Sequence, residues 1–358
     1  MNKEKDLLRV GILGCGPIAQ YTHLECCRKG RNTQLYAVCD QAADLVEKMQ
    51  VIHQPFVTYT EYENMLNDRN VDAVIVAAAD QFHVELAKKA LQAGKHVLVE
   101  KPLGVTIEEC EEIREIVHNS SLILQVGNNK RFDPGVTYAR NFIEEEMGEL
   151  LSVNCWYRDS IYRYTMVDNL LPLVYKSKNA KKPVGNPKED YKRYYLFGHA
   201  SHLVDTAGFL SGNDIVEVHT ELVERCDSYC WFILTKFNDG SIGHLDLSIP
   251  INGDWSEGFE IYGENGNVRG KLSLPYFYKS SEVECFTKKD GVYRKPLGED
   301  GYSYRRQLEG FADTILHGKP QLGANVDEGT QVVRALVAIS RSSELHKPVK
   351  LDDVSGGV

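Results

Sequence analysis

The chain has 358 residues, 42% of them hydrophobic and 26% charged, which suits about two globular domains with ordinary cores. Acidic residues outnumber basic ones by 51 to 41, a balance that argues against nucleic acid or an anionic membrane as the main partner. Nine scattered cysteines without a CxxC pair suit a reducing cytoplasm, and neither a signal peptide nor an apolar run approaching ~18 residues is visible.

From the amino end, LLRVGILGCGPIAQ (7–20) runs from an apolar strand into a GxGxxA turn of Gly14, Gly16 and Ala19. The first glycine permits a tight bend, and the second lets the backbone approach a pyrophosphate. The small third residue lets helix and strand pack closely. Phosphates then meet the free N–H groups of a helix start, at Ile18 and just beyond, with Pro17, which has no N–H, lining the same turn. A second strand, QLYAVCD (34–40), ends in Asp40, which is placed to bond a ribose 2′-hydroxyl and repel a 2′-phosphate. The expected cofactor is NAD.

VDAVIVAAA (71–79) predicts a third strand. It is followed by a helix with the apolar stripe Val84, Ala87 and Leu91, a stop at Gly94, and the strand HVLVE (96–100). Alternating strands and helices give right-handed crossovers and a parallel sheet, with ligands outside the carboxyl ends of the strands. Ala79, Asp80 and His83 lie at one such end, and Glu100 and Lys101 at another. Pro102 disfavours the helical region for Lys101 and so aims its side chain outward. A lysine there is placed to hold a substrate hydroxyl and assist its proton transfer. The expected first domain is a Rossmann α/β unit over residues 1–124.

From about Gln125 the pattern changes. The stretches 150–159, 215–224, 229–249 and 258–272 alternate apolar and polar residues around the turns FNDGSI and GENGNV. They predict an α+β domain over residues 125–358 with an open, largely antiparallel sheet. Within it, YYLFGHASHLVDTAGFLSG (194–212) reads as a helix with the stripe Leu203, Ala207 and Leu210, ended by Gly212. His199, His202 and Asp205 are spaced by three along another face, a set that also suits zinc or manganese. The connection 158–196 is too long for an ordinary loop. Tyr157 and its aromatic neighbours suit sugar faces, while Arg158 and Arg163 suit hydroxyls or carboxylates. The lysine-rich centre KSKNAKKPVGNPK (176–188) reads as a solvated loop or oligomer arm.

GxGxxA, Asp40, AGKHVLVEKP (93–102), GNNKRFDP (127–134) and the closing 308–351 segment together resemble the Gfo/Idh/MocA oxidoreductases, over nearly the whole chain. The resemblance implies that Lys101 is the catalytic lysine, joined to Pro102 by a bond that is often cis in relatives. It implies that Glu100 and His83 line the nicotinamide pocket, although Ala78-Ala79-Asp80 stands where relatives usually have Thr-Pro-Asn. It makes His202 the catalytic histidine and Asp205 a supporting acid of a D-x-x-x-H-x-x-D pattern. The first acid of that pattern falls on Gly198, so either His199 or a residue elsewhere replaces it, or Lys101 and His202 act alone. One sheet face of relatives often forms a subunit interface, implying a homo-oligomer, dimer or tetramer. No metal is needed.

The expected activity is NAD(H)-dependent oxidation or reduction of a secondary alcohol or ketone in a sugar, glycoside or cyclitol. His202 is the base, Lys101 polarises the reacting oxygen, and Arg131, Tyr157, Arg158 and His199 frame the substrate. Two alternatives stay open: an NAD-binding regulator without turnover, and a lyase or hydrolase using bound NAD as a transient redox group.

Overall fold

A computed structural model of the chain describes residues 7–162, 173–180 and 189–358. The described residues form two compact units. The first takes those within Met1–Asn129, Leu171–Glu189 and Tyr304–Thr330, and the second takes the remainder.

The sheet of the first unit contains β1 (Leu8–Leu13), β2 (Thr33–Cys39), β3 (Val57–Tyr59), β4 (Ala73–Val76), β5 (His96–Val99) and β6 (Leu124–Val126). Their order is β3-β2-β1-β4-β5-β6, all parallel, so the order reverses between β1 and β4. Both faces are covered by helices, which is why Val10, Ile12, Val74, Ile75, Val97 and Leu98 are all buried and the strands read as continuous apolar runs. Each fully buried valine, leucine or isoleucine contributes roughly 1.5–3 kcal/mol. The helices are α1 (Leu24–Lys29), α2 (Ala43–His53), α3 (Tyr62–Asn67), α4 (His83–Gln92) and α5 (Ile107–His118). A π-helical turn, Ala19–His23, leads into α1. Val84, Ala87 and Leu91 of α4 are buried as their spacing predicts, and Gly94 follows with φ +74°.

A boundary between residues 124 and 125 falls inside β6, whose Val126 N–H bonds the Ala324 carbonyl, and the first unit runs on to Asn129. Three buried residues carry no alternation to announce a strand. The helix Ser303–His317 also belongs largely to this unit. Arg31 pairs with its Glu309 and Asp313, and the Asn32 amide bonds Asp313.

The sheet of the second unit contains β7 (Leu150–Ser160), β8 (Ile215–Arg225), β9 (Ser228–Phe237), β10 (Ile242–Ile251) and β11 (Ser256–Gly263). It continues through β12 (Gly266–Lys271), β13 (Glu282–Thr287), β14 (Val292–Arg294) and β15 (Val349–Lys350). The order is β14-β13-β12-β11-β7-β10-β9-β8-β15, antiparallel except for β7 with β10. Register gives each strand two faces. Trp231, Ile233, Leu245 and Leu247 are buried on one; Phe232, Leu234, Ile242 and Tyr262 are exposed on the other. Helix α6 (Pro134–Glu146) starts at Asp133, whose carboxylate accepts from the Gly135 and Val136 N–H groups. After α7 (Tyr191–Tyr195), a π turn over Leu196–Ala200 runs into α8 (Ser201–Ser211), closed by Gly212 at φ +68°.

Candidate active site

The carboxyl ends of β1, β2 and β4 open onto a crevice of about 480 Å3, at the point where the strand order reverses. Gly14, Gly16, Pro17, Ile18, Asp40 and Ala79 all line it, as does Ala180. Gly14 has φ +97°, and a Cβ there would lie 2.6 Å from the Ala77 carbonyl oxygen, so β1 and β4 can approach only around a glycine. At Gly16 a Cβ would meet no atom of the described residues within 4 Å. Protein packing therefore does not demand that glycine, while backbone access from the crevice does. Asp40 accepts from the Cys15 N–H at 2.8 Å through Oδ2 and from the Ala42 N–H at 2.8 Å through Oδ1. These features suit a dinucleotide: a bare turn for phosphates, and an acid at the ribose position.

Asp80, His83, Glu100 and Lys101 stand outside that lining. Lys101 follows β5 directly, and its bond to Pro102 is cis. His83, 2% exposed, has Nδ1 at 2.7 Å from the Pro102 carbonyl oxygen and Nε2 at 3.2 Å from that of Ala78. Its ring thus spans the loops after β4 and β5. Glu100 is buried against His23, Oε1 to Nε2 2.7 Å. Burial opposes its charge, but the bond with His23 and the nearby Lys101 outweigh this and hold its carboxyl below the usual carboxylate range. Sequence reasoning missed His23; nothing in its spacing links it to Glu100. Asp80 opens a short 3-10 turn and bonds the Gln81 N–H.

In the second unit, the inward-facing Tyr157 of β7 is the centre of a polar and aromatic cluster. The Lys130 ammonium lies 4.5 Å from its ring centroid and pairs with the buried Glu257. The His202 ring lies parallel to it at 6.3 Å, the His199 ring crosses it at 5.5 Å, and Trp255 stands perpendicular at 6.3 Å. His199 Nδ1 is 3.3 Å from the Tyr195 carbonyl oxygen and Nε2 is 3.3 Å from Asp159 Oδ2. At Gly198 a Cβ would meet no atom of the described residues within 4 Å.

The two arginines expected to frame the substrate each pair with an acid. Arg158 occupies the opposite face of β7, because consecutive strand residues alternate, and its guanidinium bonds Asp246 at 2.6 Å. Arg131 is 4% exposed and grips Asp205, with its Nη2 2.6 Å from Oδ1. Asp205 is thereby a structural partner of the GNNKRFDP turn, and His199, His202 and Asp205 do not converge. Among the described residues no three His, Cys, Asp or Glu side chains form a metal-ligating group. Asp159 was not anticipated, although it shares Tyr157's face by the two-residue strand period. Arg163 and Tyr164 lie outside the described residues.

Residues 8–128 match the sequence profile of the oxidoreductase family with an NAD-binding Rossmann fold, GFO_IDH_MocA. A myo-inositol 2-dehydrogenase of Thermotoga maritima is 24% identical over 375 residues, covering 98% of this chain and 100% of its own. An inositol 2-dehydrogenase/D-chiro-inositol 3-dehydrogenase of Shouchella clausii is 37% identical over 158 residues, 42% of this chain and 45% of its own. In fold, the chain is similar to a crystal structure of Lactobacillus casei scyllo-inositol dehydrogenase with bound NAD(H) and scyllo-inositol. That match has a TM-score of 0.74 and 18% identity, covering 97% of this chain and 100% of the other. With its glycine turn and Asp40 in a six-stranded parallel sheet, the chain carries over residues 8–128 the NAD-binding Rossmann domain of the Gfo/Idh/MocA oxidoreductase family.

Proposed function

We propose that the protein is an NAD(H)-dependent oxidoreductase acting on a secondary alcohol or ketone of a sugar, glycoside (at C3 as one case) or cyclitol. The observation that carries this reading is Lys101, set at the carboxyl end of β5 next to the buried Glu100–His23 pair, in a domain whose crevice suits a dinucleotide. The inositol dehydrogenases among its relatives support a polyol as the substrate class.

Bound NAD supplies the hydride acceptor. The Lys101 ammonium donates a hydrogen bond to the reacting oxygen and stabilises it as the C–H bond breaks. His202 accepts the hydroxyl proton, a task suited to imidazole near neutral pH. The balance is alcohol plus NAD+ giving ketone, NADH and one proton. Tyr157 offers an aromatic surface beside His202 for the C–H face of a ring. Arg131 acts through Asp205, positioning the start of α8, on which His202 stands.

The nine free cysteines support a cytoplasmic location, and the exposed Phe232, Leu234, Ile242 and Tyr262 on one sheet face support a homo-oligomer. No helix among the described residues is long and apolar enough to cross a membrane.

The test follows NADH formation with cyclitols, free sugars and aryl glycosides. Steady turnover of at least one supports the proposal. Intact NAD binding with no turnover across the panel favours the regulatory alternative.

A further inference from the structure

We propose that residues 173–180 are a cofactor-binding element of this chain, a strap that closes the adenosine side of the crevice and limits how fast NAD(H) leaves. The inference rests on the NAD-binding reading of that crevice and not on the choice of sugar.

The strap is held by one buried side chain at its near end. Gln20, 5% exposed, accepts the Tyr175 N–H at 2.9 Å through Oε1, and its Nε2 donates to the Tyr175 carbonyl at 3.0 Å. The same Nε2 donates to the Cys15 carbonyl at 2.7 Å. The amide that braces the glycine-rich turn is therefore the amide that docks the strap. Further along, Ser177 Oγ donates to Asp44 Oδ1 at 2.7 Å, and the Lys48 ammonium lies 4.6 Å from the Tyr175 ring centroid. Asp44 and Lys48 belong to α2, which begins three residues after Asp40. Ala180 then lines the crevice together with Asp40 and Gln41.

Segment 173–180 thus bridges from the helix that follows the phosphate turn to the helix that follows the ribose acid. Both ends of the Gln20 amide are satisfied by this docking, so lifting the strap breaks several contacts together. A dinucleotide whose ribose lies at Asp40 has protein on the side from which a plain Rossmann crevice stays open. Dissociation then requires strap opening first, and the release rate becomes the open-crevice rate multiplied by the fraction of time the strap is open. Lys176 and Lys178 themselves are exposed, as the composition implies, and the docking contacts come from Tyr175 and Ser177.

The experiment measures NADH dissociation by stopped-flow fluorescence, with excess NAD+ as the competitor. It compares the wild type with Tyr175→Ala/Ser177→Ala and with a variant carrying Gly-Ser repeats in place of 173–180. The strap replacement is expected to speed release at least ten-fold, and the double substitution several-fold. Should the replacement fail to fold, the double substitution decides. Release from the folded variants at the wild-type rate overturns the strap. A wild type that binds no NADH overturns the NAD-binding reading itself, which is a separate and distinguishable failure.

Discussion

Asp40 Oδ2 accepts the Cys15 backbone N–H at 2.8 Å, tying the acid at the end of β2 to the glycine-rich turn after β1. The second oxygen accepts from the Ala42 N–H, so the carboxylate is held in place within the crevice. A ribose hydroxyl can donate to it, whereas a 2′-phosphate brings a dianion against fixed negative charge. NAD(H) should bind at least ~10-fold more tightly than NADP(H), about 1.4 kcal/mol. Asp40→Ala should weaken NAD(H) and bring the ratio within about three-fold. Calorimetry that finds equal affinities in the wild type contradicts this assignment.

Lys101 and His202 carry the chemical step in the proposed reaction. Lys101→Ala and His202→Ala should each lower kcat by roughly 10²–10⁴-fold, the usual scale for a positioned acid or base. NAD affinity, measured separately by calorimetry, should change less. If His202→Ala keeps most of its turnover, the proton goes elsewhere and His202 is only a ring beside Tyr157.

The legible parts of this protein were those specified by short-range pattern. The glycine turn, Asp40 and the stripe of Val84, Ala87 and Leu91 each depend on neighbours within a few positions, and the structure realises them. The pairing of Arg131 with Asp205 spans 74 positions, and that of His23 with Glu100 spans 77. No local period encodes such partners. Tyr157 and Arg158 are a different case: alternation along β7 already separates them, and it already groups Tyr157 with Asp159. The two arginines read as substrate ligands each pair with an acid, Asp205 and Asp246, a partner that no local pattern announces.

Arg131 and Asp205 side chains are 5% and 2% exposed, so removing one leaves the other charged in a dry site. Arg131→Leu should cost ~3–5 kcal/mol of stability, and Arg131→Leu/Asp205→Leu should recover most of it. Urea unfolding of the two variants measures the difference. A substrate-binding Arg131 would behave otherwise, raising KM with little effect on unfolding.

Asp313 gives the fold a pH-dependent tie within the first unit. Burial raises its pKa, but the bonds from Arg31, Lys319 and Asn32 outweigh that and bring it from 3.8 to about 2. A folded-state value below the unfolded one contributes stability above pH ~4, which is lost as pH falls from about 4 to 2. At full strength that difference is worth roughly 2.5 kcal/mol. Arg31 and Lys319 are 52% and 59% exposed, so solvent screening reduces it to about 1 kcal/mol. Asp313→Asn should therefore be about 1 kcal/mol less stable than the wild type at pH 7 and indistinguishable near pH 2. Denaturant melts at the two pH values test both the size and the sign.

The vacancy at Gly198 bears on substrate choice. Among the described residues a Cβ there meets no atom within 4 Å, so none of them fills the volume of the missing acid. One position on in the same π turn, His199 faces Asp159 at 3.3 Å, and both side chains are at most 10% exposed. This pair supplies charge and directed hydrogen bonds from β7 and the π turn, beside the Tyr157 ring that also flanks His202. If the open volume at Gly198 admits a bulky aglycone, Gly198→Asp should narrow the range toward small sugars or polyols and penalise large glycosides. His199→Ala should lower kcat/KM for the best substrate several-fold or more. Asp159→Asn should do the same to a lesser degree, since it keeps the shape and loses only the charge. The comparison is kcat/KM for a free sugar against its aryl glycoside in the wild type and the three variants. A ratio unmoved by Gly198→Asp and His199→Ala means that the space at Gly198 is not an adaptation to substrate size and that Asp159–His199 only secures the turn before α8.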